Sequence, residues 1–302
     1  MKDRKKWLQE RQAGIGGSEI AAVCGLSQWR TPIDVWLEKT GPVEDGEATL
    51  AMELGNYLEP LIIKKYERET GHRVSANIDA ITHERYKFAR CNLDGFVLTS
   101  DDDKGILEVK TAGDSRKWGE PGSDQIPIDY YLQCQWNMLV AGVKWCDVPV
   151  LFFDRGRRIE IYHVTADWEI QQQLVEKAEV FWDCVVKDIM PEPRTGQEAE
   201  QVYAKHIKGE SIQCDDALVQ DIEMIKALKA TLKDTEDAIK LCESRIKCAM
   251  KNAESVMDGD KTLVTWKTCN TSRVNTAALK RANPEICEAF TSTSSYRRFL
   301  VK

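Results

Sequence analysis

Apolar residues recur at three- and four-residue steps through Leu50, Leu54, Tyr57, Leu58, Leu61, Ile62 and Tyr66, which predicts an amphipathic helix over 48–70 that Gly71 ends. Shorter helices are predicted on either side. One covers 5–12 with Trp7 and Leu8. A second covers 18–24, where Ser18 caps it after the turn Gly14-Ile15-Gly16-Gly17. A third begins at Thr31-Pro32, presents Val35, Trp36 and Leu37 on its apolar side, and stops at Gly41-Pro42. The pattern then changes to short strands at 73–76, 79–82, 89–98 and 105–110, a meander broken by the turn 101–105. Helices at 128–143 and 166–187 enclose a hairpin of 148–153 with 158–163, turned at Asp154-Arg155-Gly156.

Past the loop 191–196 the texture changes again. Residues 215–257 contain neither glycine nor proline, and Ile225, Leu232, Ile239, Ile246 and Ala253 are spaced by seven, with Leu228, Thr235, Cys242, Ala249 and Val256 three residues after each. A helix of that length would extend about 60 Å. The end of the chain alternates at 261–267, has a short helix after Asn275 and closes on 294–301. These changes predict a domain over 1–195, a linker and heptad-patterned helical arm over 196–258, and a small mixed subdomain over 259–302.

Composition narrows the function classes. The 302 residues carry 42 Lys+Arg and 49 Asp+Glu, a net charge of −7, with 42% apolar and 30% charged residues, which excludes a disordered or fibrous chain. No apolar run reaches the ~18 residues of a membrane span, and the start 1–6 leads into no apolar signal core, so a cytoplasmic protein without a membrane partner is expected. Ten cysteines lack any C-x-x-C spacing, which disfavours zinc and predicts that most are reduced, buried apolar groups. The acidic balance argues against nucleic acid until it is resolved by region. Residues 259–302 hold eight Lys/Arg against three acids, so the tail is basic and the remainder carries −12. Such a tail could follow DNA phosphates, dock an acidic partner, or simply be a solvated cap.

Chemistry concentrates at Asn92-Leu93-Asp94-Gly95 and Leu107-Glu108-Val109-Lys110. Strand alternation puts Glu108 and Lys110 on one face, and a hairpin would bring Asp94 beside them. Two carboxylates can hold magnesium while the ammonium orients or deprotonates a water and offsets phosphate charge. A solvated hairpin face is the competing reading of these three residues alone. Against it, Glu59 lies in an apolar helix, 106–109 is otherwise apolar, and Gln133 and Gln135 interrupt an apolar helix, where buried polar groups need partners.

The order Gly-Gly-Ser-Glu (16–19), Gly-x-x-x-Glu (55–59), Asp-Gly (94–95), Glu-x-Lys (108–110) and Tyr-x-x-Gln-x-Gln (130–135) resembles the YqaJ-like phage recombinases, which are similar to lambda exonuclease within the PD-(D/E)XK nuclease superfamily. The resemblance covers about 5–190. It implies an α/β (α+β) fold, a restriction-endonuclease-like core of central mixed sheet flanked by helices. It also implies a magnesium-dependent enzyme, with manganese as a substitute, that degrades one strand of duplex DNA from the 5′ end. By that resemblance Asp94, Glu108 and the Val109 carbonyl would hold the metal, Glu59 would join it through water, Lys110 would act on the nucleophile, and Gln133 and Tyr130 would lie beside it. Arg11 and Ser18 would grip a terminal 5′-phosphate, with Gly16 and Asn92 standing where the lambda pattern has hydroxyl residues. A single-strand annealing protein and a homo-oligomeric ring, a trimer among the options, are the implied partners. An endonuclease of the same fold and a non-catalytic DNA-end scaffold are the alternatives.

The glycine turn supports the phosphate assignment by itself, because a helix N-terminus offers free N–H groups. His72, His83, His163 and His206 show no ligand spacing and read as surface or hydrogen-bonded residues. Arg155, Arg157 and Arg158 read as a solvated turn, and the nine tryptophans as mostly core. Trp29 and Trp118, beside Arg30 and Lys117, are the minority candidates for parting a duplex end.

Overall fold

A computed structural model describes residues 10–42, 49–76, 78–99, 103–154 and 156–302. Most of the expected helix over 5–12, the position of Ala48, Asp101-Asp102 of the predicted turn and Arg155 lie outside them. Two units emerge, 1–198 and 199–302.

The first unit contains α1 (Gly17–Val23), α2 (Pro32–Thr40), α3 (Leu50–Thr70), β1 (Arg73–Ser75), β2 (Ile81–Thr82), β3 (Arg90–Cys91), β4 (Gly95–Leu98), β5 (Lys104–Leu107), β6 (Lys110–Ala112), α4 (Ile128–Ala141), β7 (Trp145–Phe152), β8 (Ile159–Thr165) and α5 (Trp168–Val186); α6 (Gly196–Val202) begins at its end. Strand order is β1-β4-β5-β7-β6, with β8 on the other edge of β7, so the sheet is mixed: β5 and β6 run parallel to β7 and the remaining pairs are antiparallel. β2 and β3 pair separately. The strand expected over 89–98 is therefore two strands in two sheets, because Asn92-Leu93-Asp94 leaves the ladder between them.

Alternation sorts the two sheet faces. Ile106 packs into the large core under α1, α4 and α5, whereas Leu107 joins Ile63, Tyr66, Val97 and Trp145 beneath α3. The long helix stops as expected at Gly71, whose φ of +76° is the left-handed cap glycine tolerates. Its apolar face is a correction: Ile62, Ile63 and Tyr66 are buried, but Leu50, Leu54, Tyr57 and Leu61 are exposed because the sheet reaches only its second half. The cap of α1 is Gly16, not Ser18; Ser18 is the second helical residue, and the Glu19 carboxylate returns to accept from the Gly16 N–H at 2.9 Å.

In the second unit α7 (Asp216–Met250) is a single helix of 35 residues, about 50 Å long, followed by β9 (Ser255–Asp258), β10 (Lys261–Thr265), α8 (Thr276–Ala282) and α9 (Pro284–Ala289). It ends earlier than its pattern suggested, so Ala253 and Val256 fall outside the heptad seam and Val256 pairs in a hairpin. The cysteine expectation is half corrected: all ten are free, but four are exposed, two half-buried and four buried. Of the tryptophans, Trp36, Trp136 and Trp145 are core, whereas Trp29, Trp168 and Trp266 are exposed.

Candidate active site

Register builds the centre. β4 pairs with β5 at Gly95 opposite Leu107, so the next step outward sets Asp94 opposite Glu108. β5 and β6 keep the same register against β7 on both sides of Glu108-Val109, and the Glu108 N–H still donates to the Asp147 carbonyl at 3.0 Å. The Val109 N–H turns away and donates to Asp94 Oδ2 at 2.7 Å, which interrupts the strand without inserting a residue. Glu108 and Lys110 thus share a face as alternation requires.

Glu108 is 3% exposed, and both its oxygens are held. Oε1 accepts from Lys110 Nζ at 2.6 Å and from Gln133 Nε2 at 2.6 Å; Oε2 accepts from Asn137 Nδ2 at 2.9 Å. Gln133 Oε1 in turn accepts from Lys110 Nζ at 3.1 Å, and that ammonium lies 4.9 Å over the Tyr130 ring. Gln135 does something else: its amide joins Thr165, Asp167 and Gln171 and ties α4 to α5.

The charges are unbalanced. Burial, then repulsion from Glu108, pushes the Asp94 carboxyl up to about 8. Burial and Glu108 also raise half-buried Glu59, which the helix α3 brings within electrostatic reach of Glu108, Lys110 and Asp94. Burial works against the Lys110 ammonium, but Glu108 and Asp94 outweigh it and hold its pKa above the usual lysine value. Three acids thus share one cation, Lys110.

A cavity of ≈ 140 Å³ adjoins this centre. Its walls include Arg11, Gly16, Ser18 and Asn92, the four expected phosphate-pocket residues, together with Gln133 and Asn137, which bind Glu108. The glycine turn is fixed there: Ile15 bridges to Ala89, and the buried Trp136 indole N–H donates to the Ile15 carbonyl at 3.2 Å and the Arg90 carbonyl at 3.0 Å. Gly17 is required because a Cβ would lie 2.1 Å from Asn137 Oδ1. Arg11 is held by Glu19, which also pairs with buried Lys39 at 2.6 Å; burial disfavours ionised Glu19, yet Lys39 and Arg11 keep its pKa below the usual value.

Glu19, Lys39 and Asn137 were not assigned roles from the sequence. Glu19 stood inside the Gly-Gly-Ser-Glu motif, three residues past the cap, where a capping-box acid belongs. Asn137 follows Gln133 by four on the same helix face, a spacing that was available.

Residues 6–144 match the model of the YqaJ-like viral recombinase domain. Over that stretch the chain is similar to the YqaJ-like viral recombinase domain. It is 29% identical over 309 residues to the protein YqaJ of Bacillus subtilis (strain 168), covering 99% of this chain and 94% of that one. Its structure is similar to that of an alkaline exonuclease, LHK-Exo, from Laribacter hongkongensis, with a TM-score of 0.50 and 22% identity over 61% of this chain and 93% of that chain. The complex of LHK-Exo with dAMP gives 0.51 and 21% over 65% and 96%. The first unit thus shares the fold of the alkaline exonuclease LHK-Exo, a mixed sheet flanked by helices.

Proposed function

We propose that the YqaJ-like unit is a divalent-metal-dependent DNA exonuclease that removes nucleotides 5′ to 3′ from duplex ends and leaves a 3′ single strand for recombination by annealing. The observation that carries this reading is the buried Glu108, tied to Lys110, Gln133 and Asn137 and set opposite Asp94. The family description and the alkaline exonuclease fold support it.

The residues fit magnesium. The donors are oxygens, burial and then repulsion from Glu108 push Asp94 and Glu59 toward protonation, a cost that a bound cation would offset, and magnesium takes one or two carboxylates and keeps several waters. Among the described residues no three His, Cys, Asp or Glu side chains already converge on one ion site, so the fit is to Asp94 and Glu108 with water completing the shell. Asp94, Glu108 and the Val109 carbonyl would hold the ion, with Glu59 reaching it through water; bound there, it would supply Lewis acidity and charge neutralisation at the phosphate. Lys110, kept an ammonium by its carboxylate neighbours, orients the attacking water and offsets phosphate charge. Gln133 holds Lys110 and Glu108 in place. Arg11, Ser18 and the N–H groups of the Gly16 turn receive the terminal 5′-phosphate, with Asn92 across the cavity. The product strand would pass to a single-strand annealing protein, and a ring of subunits would keep the enzyme on one end.

Linear duplex labelled at either end tests this. In magnesium the 5′ label should be released at once and the 3′ label late, with covalently closed circles intact and no release in chelator. Early 3′ release would reverse the direction, and cut circles would make the enzyme an endonuclease.

A further inference from the structure

Helix α4 carries Tyr130, Gln133 and Asn137 on one face, about 10 Å end to end. Asn137 and Gln133 wall the phosphate cavity, Gln133 holds Glu108 and Lys110, and Tyr130 lines a second, larger cleft of ≈ 530 Å³. That cleft begins at Thr111 and Ala112, directly after the catalytic lysine.

Its aromatic surface is built in layers. Trp118 is anchored, edge-on to Phe152 at 5.6 Å and against Tyr162 at 5.0 Å, and the Tyr162 hydroxyl donates to the Gly119 carbonyl at 3.1 Å. Tyr130 stacks on Trp118 at 5.6 Å with planes 28° apart. From the loop after α1, Trp29, 62% exposed, stands 5.9 Å from Tyr130 with its plane tilted by 33°. Lys117 Nζ donates to Gln28 Oε1 at 2.7 Å and ties the two loops together. A large indole held open to water beside a stacked pair, with Lys110 and Lys117 at its margins, matches the chemistry of an unpaired nucleotide: a π-face for the base and cations for its phosphates.

We propose that this cleft is a nucleobase site that stacks the unpaired base on the 3′ side of the scissile phosphate. The proposal rests on the exonuclease reading for its polarity: with the terminal phosphate beside Arg11 and the scissile bond at Lys110, the strand continues along α4 toward Tyr130 and Trp29. Stacking on ring faces makes the site tolerant of base identity.

Fluorescence anisotropy with hydrolysis blocked by Glu108→Gln tests it, using 5′-phosphorylated duplexes that differ only in an intact or abasic second nucleotide. The intact duplex should bind on the order of tenfold tighter than the abasic one. Trp29→Ala should erase that difference, Trp29→Phe should keep most of it, and the four bases should differ by about twofold at most. Trp29→Ala that still discriminates tenfold, or that weakens both duplexes equally, would overturn the site. The exonuclease reading fails separately, if the wild-type protein releases no label from linear duplex.

Discussion

The two units spend their apolar and charged residues differently. In 10–198 most buried ions have partners, Glu19 with Lys39 and Arg11, Glu108 with Lys110, Gln133 and Asn137, Asp147 with Tyr66 and His163, whereas Asp129 Oδ2 is buried without one. In 199–302 only Met250 is buried among the described residues, and the ion pairs of α7 are exposed ones one turn apart. Chemistry needs the first kind of environment, because only enclosed groups shift their protonation and hold a fixed geometry. Exposed pairs contribute little. The difference teaches that the basic tail and heptad arm, conspicuous in the sequence, are exposed surfaces, whereas the acidic first unit holds the enclosed, shifted groups on which the proposed chemistry rests.

The sharpest way to break this contrast is kinetic. Lys110→Ala should cut single-turnover hydrolysis on the order of 10³-fold while DNA binding stays within a few fold, and Ile239→Ala on α7 should change neither. An equal loss of binding would make Lys110 a phosphate clamp. Next in size, Glu19→Gln should cost roughly 3–5 kcal/mol in denaturant unfolding, because it leaves the buried Lys39 ammonium unpaired. Leu132→Ala should cost about 2–5 kcal/mol, against at most about 0.5 for Ile239→Ala. A large cost at Ile239 would show that the α7 seam is covered in solution and would dissolve the comparison.

The smallest effect is a pH slope. Asp94 is raised to about 8 from a usual value of about 4, first by burial and then by Glu108, so the native state holds a proton that the unfolded chain releases. The contribution of Asp94 to stability of the metal-free protein is therefore greatest at low pH, falls between about pH 4 and 8 and levels off above. Thermal unfolding in chelator should show that fall in the wild type and a flatter profile in Asp94→Asn.

Much of the fold was legible because periodicity and punctuation survive in the chain. The α3 pattern and its Gly71 stop and the Thr31-Pro32 start of α2 follow from them, whereas the mixed sheet with flanking helices comes from the family resemblance. The pairing of Asp94 with Glu108 was legible because strand alternation and a hairpin suffice to bring them together. What escaped needed tertiary knowledge. Nothing local says that the sheet covers only half of α3, or that Asn92-Leu93-Asp94 leaves the ladder. The role of Asn137 depends on which face of α4 meets Glu108, and that of Glu19 on a lysine twenty residues away. Trp29 and Trp118 read alike in sequence, yet one is an open ring and the other a packed floor.

The central claim is that the buried carboxylate at the broken strand performs the chemistry. It is tested most directly by giving end-labelled linear duplex and magnesium to the wild-type protein and to Glu108→Ala, at matched fold and matched DNA occupancy. The account predicts release of the 5′ label by the wild type and a loss on the order of 10³-fold or more in the variant. Equal degradation by the two proteins would contradict it.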